Sequence, residues 1–231
     1  IEKQGDRLEV FCGETSFLAD LVLVGIGVRP SNILAVEAGL ALGPQESIAV
    51  DRYMRTSDPR IFSAGDCADA YHLVTGERVW IPLALRANRG GWAVADNLEE
   101  DVFPLDGVAG TTVFKVFELE VARTGLNAHE AADAGFSPAE VVIESRTRAH
   151  AHPGSKTIWV NMVGDTSSGR LLGVQMVSAD GAAHRVNAPA VALHNHMTVA
   201  QFAQGDMGYA PPFSPVWDPM LTAANQLLKQ L

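Results

Sequence analysis

The chain opens with alternating polar and apolar residues. Residues 7–11 (Arg-Leu-Glu-Val-Phe) alternate, and Gly13 interrupts the run before a second strand-like stretch over residues 16–24. This pattern predicts a β-hairpin. The second stretch ends in the uninterrupted apolar run of residues 21–24, which is typical of a strand covered on both faces, so we expect buried sheet there.

The segment that follows predicts short strands and helices. Ser31 is suited to cap a short helix that ends before Gly39, and two short strands are predicted at residues 48–50 and 61–64. A longer helix is predicted over residues 83–98, since a proline precedes it where a helix can begin.

Gly90 and Gly91 lie in the middle of this longer helix. A glycine inside a helix costs about 1 kcal/mol relative to alanine. The pair therefore suggests that the helix packs closely against a strand or a ligand.

The composition shifts to Asp, Glu, Pro and Gly around residues 99–109, which predicts a domain boundary. Beyond it the pattern favours antiparallel strands and separate helices. Residues 157–163 and 171–177 flank the turn-rich residues 164–169 and predict a hairpin. Further strands are predicted at residues 111–117 and from 141, and helices after Asn127, over 182–196 with a break at Pro189, over 199–204 and over 218–230.

The composition also excludes several classes of protein. The chain has 231 residues and a formal net charge of −10, so it can bury a sizeable core and has no basic stripe for nucleic acid. Its longest apolar run, residues 18–28, is interrupted by Asp20 and is shorter than the roughly 20 residues that span a bilayer, so we expect no membrane span. Cys12 and Cys67 form neither a disulfide framework nor a C-x-x-C pair, which favours a reducing, cytoplasmic location.

The histidines include two H-x-H pairs, His150/His152 and His194/His196. In a strand this spacing would place two rings on one face, as a metal site requires. Two ligands do not make a site, and no cysteine or third histidine is fixed nearby, so we favour a surface or structural role for both pairs. The G-x-G-x-x-G, Walker, G-x-S-x-G and H-E-x-x-H motifs are absent.

Asp66 is a candidate ligand-binding residue. It follows the predicted strand at residues 61–64 and Gly65, which allows a tight turn, so its carboxylate is expected at the carboxyl end of a strand, where open α/β sheets bind ligands. Capping of the following turn is the alternative role. The predicted helix start at residues 82–84 offers free amides that favour negative charge, although most helix starts bind nothing.

Residues 209–214 (Tyr-Ala-Pro-Pro-Phe-Ser) combine two prolines with two aromatic side chains. Such a stiff segment suits a subunit interface, where aromatic residues and methionine are enriched, and Trp217 and Met220 follow it closely. The alternative is a proline-rich stretch that covers the edge of a core.

Three segments together resemble one family, the FAD-dependent pyridine nucleotide-disulfide oxidoreductases, in the branch of CoA-disulfide reductases, NADH oxidases and persulfide reductases. Residues 21–32 (LVLVGIGVRPSN) look like the end of the NAD(P)H domain. Residues 56–69 (TSDPRIFSAGDCAD) are similar to the second flavin motif, and residues 205–220 (GDMGYAPPFSPVWDPM) resemble the interface signature of this branch. Residues 82–91 and 179–193 run in the family's order, so the resemblance covers nearly the whole chain.

This resemblance implies a fold class of α/β plus α+β. A partial FAD/NAD(P)-binding Rossmann-like segment would be followed by an antiparallel-sheet-and-helix dimerisation domain. Residues 1–28 would end the NAD(P)H-binding domain, residues 29–108 would form the second segment of the FAD-binding domain, and residues 109–231 would form the carboxyl-terminal interface domain.

The resemblance also implies roles for single residues. Asp66 matches the aspartate that holds a ribityl hydroxyl of FAD, with Ala64 and Gly65 making room for it. Pro82, Leu83 and Ala84 match the helix start near the flavin, where amides would stabilise reduced flavin. Gly25 and Gly27 match the turn near the nicotinamide.

Tyr209 matches a tyrosine that reaches from one subunit toward the partner's flavin and redox cysteine, so the resemblance implies a homodimer through residues 109–231.

Two positions depart from the pattern of the CoA-disulfide reductases. Trp217 replaces a lysine that helps to hold CoA, and His152 stands in place of an aromatic residue before a Pro-Gly pair. Both changes weaken the assignment to CoA. His152 could still donate to a sulfur or phosphate group, or be an ordinary exposed histidine.

The family begins with a G-x-G-x-x-G unit for FAD, an active-site cysteine and a second Rossmann unit, and this sequence shows none of them. The chain starts at Ile1, and neither Cys12 nor Cys67 has the context of the nucleophile. We therefore expect the carboxyl-terminal part of an enzyme that uses FAD and NAD(P)H, inactive alone. The parent enzyme would pass hydride through flavin to a disulfide or persulfide substrate, such as CoA disulfide, or to oxygen. The alternative is a stand-alone dimerisation or binding module without redox activity.

Overall fold

The structure is a computed structural model that describes residues 1–231 and contains three sheets. Strands β1 (Glu2–Gln4), β2 (Arg7–Cys12) and β3 (Thr15–Ala19) form the first sheet, in that order. The predicted hairpin is confirmed, because residues 8–12 of β2 pair antiparallel with residues 15–19 of β3.

The predicted buried strand at residues 21–24 is wrong. Residues 20–31 form no backbone hydrogen bond, and Leu23 and Ile26 are 89% and 92% exposed. A strand is stabilised by backbone pairing with a neighbour and by side-chain packing on its faces, and this run has neither. The apolar run is an exposed segment without regular secondary structure.

Residues 32–111 are built from short elements. They are α1 (Ile33–Glu37), a 3-10 turn (Pro44–Glu46), the paired strands β4 (Ala70–Tyr71) and β5 (Arg78–Val79), and α2 (Ala84–Asp96). Helix α1 follows Asn32 and not Ser31. The predicted strands at residues 48–50 and 61–64 are present only as isolated bridges, since each finds a pairing partner at one or two residues at most.

Helix α2 packs against the loop that precedes it through Gly90. A Cβ atom at Gly90 would lie 3.3 Å from Met54 Cε and 3.4 Å from Ala64 Cβ, whereas one at Gly91 would meet nothing within 4 Å. Close packing is therefore confirmed for Gly90, whereas Gly91 packs against no part of this chain. A small core of buried side chains surrounds this contact: Val50, Met54, Ala68 and Ala93.

The remaining strands form a five-stranded antiparallel sheet in the order β6-β7-β10-β9-β8. Their bounds are Thr112–Val116 for β6, Leu119–Gly125 for β7, Pro138–Arg146 for β8, Thr157–Asp165 for β9 and Leu171–Ser178 for β10. The predicted hairpin of β9 and β10 is confirmed. The sequence does not predict β7, because its buried residues Ala122 and Thr124 are small and give no apolar alternation.

Helices cover one face of this sheet. They are α3 (Ala128–Asp133), α4 (Ala182–Arg185), α5 (Asn187–His194), α6 (Val199–Phe202) and α7 (Pro219–Leu227). Asn127 caps α3 as predicted, in a reciprocal capping box with Glu130. The break between α4 and α5 falls at Val186; Pro189 lies in the first turn of α5, where proline is tolerated. None of the helices is long and apolar enough to cross a membrane.

Candidate functional site

The loop at residues 64–66 is fixed from two sides. Arg86, in the first turn of α2, donates from Nη1 to the carbonyl of Gly65 at 2.5 Å. Trp80 donates from Nε1 to the carbonyl of Asp66 at 2.6 Å. Gly65 has a φ of +93°, which a residue with a Cβ atom rarely adopts. The backbone therefore turns at Gly65 and is held there by two side chains.

The carboxylate of Asp66 projects from this fixed loop without a partner. Asp66 is exposed, and its side chain accepts no hydrogen bond from the chain. The alternative role, capping of the following turn, is therefore not observed. A rigid loop thus presents a free acceptor to solvent.

The start of α2 lies beside this loop, because Arg86 in its first turn bonds to Gly65. Leu83 is the N-cap residue and gives no side-chain hydrogen bond to the helix. The amides of the first turn have no acceptor within the helix, and they carry the positive end of its dipole. The structure thus brings the two predicted elements, residues 64–66 and 82–84, together.

A buried network of charges supports the loop from below. Asp69 is fully buried, and its carboxylate accepts from Arg78 Nη1 at 2.7 Å and from the amide of Val50 at 2.9 Å. Arg86 also donates to the carbonyl of Asp69. Burial lowers the pKa of Arg86, while the nearby acids Asp69 and Asp66 and the thiol of Cys67 act in the opposite direction.

No sequence pattern predicts these supporting residues. Their partners are distant along the chain, as Arg86 and Gly65 show, so no local pattern reveals them. One signal was available: Arg86 is a cation in the first turn of a helix, where the dipole disfavours positive charge. A cation at that position indicates a specific partner.

Gly25 and Gly27 form no hydrogen bond with the loop. Both belong to the exposed segment at residues 20–31, where Gly27 has a φ of +86°. No hydrogen bond links this segment to residues 64–66 or 82–84. The place of this turn near the nicotinamide therefore stays a prediction.

Tyr209, Trp217 and His152 lie on two loops that contact each other. The amide of Ala149 donates to the carbonyl of Pro211 at 3.1 Å and joins the loop of His152 to the segment of Tyr209. Tyr209 and Trp217 are exposed, and the Tyr209 hydroxyl has no hydrogen-bond partner in the chain. Nδ1 of His152, a half-buried residue, lies 3.0 Å from the carbonyl oxygen of its neighbour Pro153.

The H-x-H pair at residues 194–196 does not converge on one point. Nε2 of His194 lies 3.2 Å from Asp106 Oδ2, whereas Nδ1 of His196 lies 3.2 Å from Arg170 Nη2. No group of three or more His, Cys, Asp or Glu side chains in the structure could hold a metal ion.

The face of the five-stranded sheet opposite the helices carries a row of apolar side chains. By strand register, Phe114, Val121, Val177 and Trp159 stand directly opposite one another on β6, β7, β10 and β9. Phe114 and Trp159 are 52% and 44% exposed. An in-register apolar row that crosses four strands in solvent is suited to contact another protein surface.

Two family models match the chain. The model described as pyridine nucleotide-disulphide oxidoreductase matches residues 1–91, and the one described as the dimerisation domain of these proteins matches residues 111–220. A curated relative, the NAD(P)H sulfur oxidoreductase (CoA-dependent) of Pyrococcus abyssi, is 38% identical over 223 residues, which cover 96% of this chain and 50% of that protein. The chain spans about half the length of the curated relatives it matches.

Solved structures of similar proteins share this fold. A NAD-dependent persulfide reductase from A. fulgidus superposes with a TM-score of 0.89 at 36% identity, covering 93% of this chain and 40% of that one. An FAD-dependent pyridine nucleotide-disulphide oxidoreductase from Desulfovibrio vulgaris superposes with a TM-score of 0.78 at 31% identity, covering 99% of this chain and 54% of that one.

Proposed function

Because the chain belongs to the pyridine nucleotide-disulphide oxidoreductase family, we propose that it supplies one flavin wall and the subunit interface of an enzyme that uses NAD(P)H and FAD to reduce a sulfur substrate. The substrate class is a disulfide or persulfide, such as CoA disulfide, and oxygen is the alternative acceptor. The names of the similar proteins from P. abyssi and A. fulgidus support a sulfur acceptor. The observation that carries the proposal is the unpaired Asp66 carboxylate on a rigid loop beside the uncapped start of α2.

The residues at this loop fit FAD. The free carboxylate of Asp66 is an acceptor of the kind that a ribityl hydroxyl needs. A Cβ atom at Gly65 would meet nothing within 4 Å, so the loop leaves open space beside it. The first-turn amides of α2, after Pro82 and Leu83, favour the negative charge of reduced flavin. Bound FAD would relay the hydride from nicotinamide to sulfur.

The other predicted positions are assigned either to the nicotinamide or to the sulfur substrate. Gly25 and Gly27 have no side chain to obstruct a nicotinamide ring, and their place in this proposal rests on that property. Tyr209 would place its free hydroxyl in the partner's site, where it can donate to the sulfur that receives electrons. His152 and Trp217, on the neighbouring loops, would line the path of the sulfur substrate.

We further propose that two copies pair through residues 109–231 to form a homodimer. The match to a dimerisation domain and the apolar row on the open sheet face support this pairing. Burying aromatic side chains such as Phe114 and Trp159 at an interface removes a large apolar area from water. A cytoplasmic location fits the two free cysteines, Cys12 and Cys67.

The test is anaerobic kinetics on the full-length protein. We expect a yellow protein whose flavin is bleached by NADH or NADPH and recovers its colour on addition of a disulfide or persulfide. If the flavin colour recovers with oxygen, and sulfur substrates do not raise the rate of recovery, oxygen is the acceptor. A colourless protein that binds no added FAD would contradict the proposal and favour a binding module.

A further inference from the structure

Arg185, at the end of α4, has a largely buried guanidinium with only 14% of its side chain exposed. It donates from Nε to Asp218 Oδ2 at 3.0 Å, and from Nη2 to the carbonyls of Thr147 at 3.0 Å and Phe213 at 2.9 Å. Nη1 points to the carbonyl of Gly181 at 3.4 Å. One side chain therefore bonds to four separate points of the chain.

Two of these points belong to the loops of the proposed substrate side. Thr147 opens the loop that carries His152, and Phe213 lies in the segment between Tyr209 and Trp217. The guanidinium thus bridges both loops at once.

Asp218 extends the network into α7. Its Oδ2 also accepts from Ser214 Oγ at 3.0 Å, and its Oδ1 accepts from the amide of Met220 at 2.9 Å, where it caps the helix. Asp218 is only 8% exposed. The segment of Tyr209 is therefore fastened at its end to a buried ion pair with Arg185.

The two loops have little else in common. Between them the structure shows one direct hydrogen bond, from the amide of Ala149 to the carbonyl of Pro211. The exposed ring of Tyr209 forms no hydrogen bond of its own. Its position relative to His152 thus depends on the backbone of both loops, which Arg185 joins.

We infer that Arg185 is a positioning residue for the sulfur half-reaction: it sets the relative placement of Tyr209 and His152 without touching substrate. This inference rests on the proposed function. A lysine at this position could pair with Asp218, but a single ammonium on a flexible stem cannot reproduce the planar fork that reaches both carbonyls. Charge alone would then be insufficient.

The test compares Arg185→Lys with wild type in the full-length flavoprotein, by stopped-flow measurement of the two half-reactions. We expect flavin reduction by NAD(P)H to stay within twofold, and flavin reoxidation by the disulfide or persulfide to slow at least tenfold. Arg170→Lys is the matched control, since Arg170 bonds through its side chain to His196 and to neither loop. It should leave both half-reactions unchanged.

A double-substitution cycle separates positioning from general loss of structure. If Arg185 acts through Tyr209, Arg185→Lys should slow reoxidation much less in a Tyr209→Phe background than in wild type. Flavin content and subunit mass serve as measures of folding. The inference would be overturned if Arg185→Lys slowed reoxidation equally in both backgrounds, or if it slowed both half-reactions to the same extent.

The outcome for the wild-type protein distinguishes the two levels of the proposal. Wild type that reduces no sulfur substrate overturns the proposed function and the role of Arg185 with it. If the wild-type protein reduces the sulfur substrate at the same rate as Arg185→Lys, only the positioning role of Arg185 is overturned.

Discussion

At the scale of single residues, Asp66 combines a free carboxylate with a rigid backbone. Because its side chain bonds to nothing in the chain, Asp66→Ala should change the free energy of unfolding of the apoprotein by no more than about 0.5 kcal/mol. A lost charge-assisted hydrogen bond to a ribityl hydroxyl should weaken FAD binding by about 1.5 to 3 kcal/mol. Flavin absorbance per protein after dialysis measures the effect.

The matched control for this substitution is Glu77→Ala. Glu77 is also exposed and its carboxylate has no partner, but it lies in the turn between β4 and β5 and not in the loop at residues 64–66. It should retain flavin as wild type does. Equal flavin content in all three proteins would remove Asp66 from the site.

Residue chemistry of this kind was partly predictable from the sequence. A Gly-Asp pair after an apolar run and a proline at a helix start are local patterns, and they pointed to Asp66 and Pro82. The side chains that hold the loops of the proposed site, such as Arg86 and Arg185, bond to residues 21 and 33 positions away. Such contacts arise from tertiary structure, and a local pattern does not encode them.

At the scale of secondary structure, the two adjacent glycines of α2 have different surroundings. Gly91 has open space where a Cβ atom would stand, so Gly91→Ala should stabilise the protein by about 0.5 to 1 kcal/mol through higher helix propensity. At Gly90 the new methyl group would press on Met54 and Ala64, so Gly90→Ala should gain less or lose stability. Thermal unfolding of both variants is the measurement, and identical shifts would contradict this packing.

The cap of α3 gives a pH dependence. Burial alone would raise the pKa of Glu130, but hydrogen bonds from Arg123 and the amide of Asn127 outweigh it and leave the pKa below the ordinary value of 4.5. A carboxyl whose pKa is lowered by folding stabilises the protein above its unfolded-state pKa, and this contribution disappears as the pH falls through the folded-state pKa. The stability that Glu130 provides should therefore be present at pH 7, and it should be lost as the pH falls below the ordinary glutamate pKa and through the lowered folded-state pKa.

Urea unfolding between pH 7 and pH 3 measures this effect. Glu130→Gln should be less stable than wild type at pH 7, and the difference should shrink toward pH 3. Glu99→Gln, at an exposed carboxyl in the loop after α2, should parallel wild type throughout. A constant difference between Glu130→Gln and wild type across this range would assign the stabilisation to packing and not to charge.

Elements with strong periodicity or turn chemistry were predicted well, and those stabilised by context were not. The β9–β10 hairpin and the cap at Asn127 follow from local patterns. The apolar run at residues 21–24 also has a strand pattern, yet it lacks a pairing neighbour and is exposed. The apolar pattern shows only that a segment is suited to a buried strand. Whether the segment is buried depends on a neighbouring strand from another part of the fold.

At the scale of the whole molecule, the proposed homodimer depends on the apolar row of the open sheet face. A charge at Trp159 would have to be desolvated on pairing, so Trp159→Glu should shift the protein toward monomer, and combining it with Phe114→Glu should shift it further. Light scattering after size exclusion measures the mass. Val102→Glu, at an exposed apolar residue of the boundary loop, is the control, and dimers that survive both row substitutions would place the interface elsewhere.

Pairing in the proposed manner makes each site a composite of two subunits, with Asp66 from one and Tyr209 from the other. Tyr209→Phe should keep flavin and dimer mass but slow the sulfur half-reaction, since only the hydroxyl is lost. Mixing Asp66→Ala and Tyr209→Phe proteins under conditions that exchange subunits would then create dimers with one site carrying both changes and one site carrying neither. Sulfur-dependent turnover should rise on mixing above the average of the two separate proteins. Activity that stays at that average would show that both residues serve the same subunit's site.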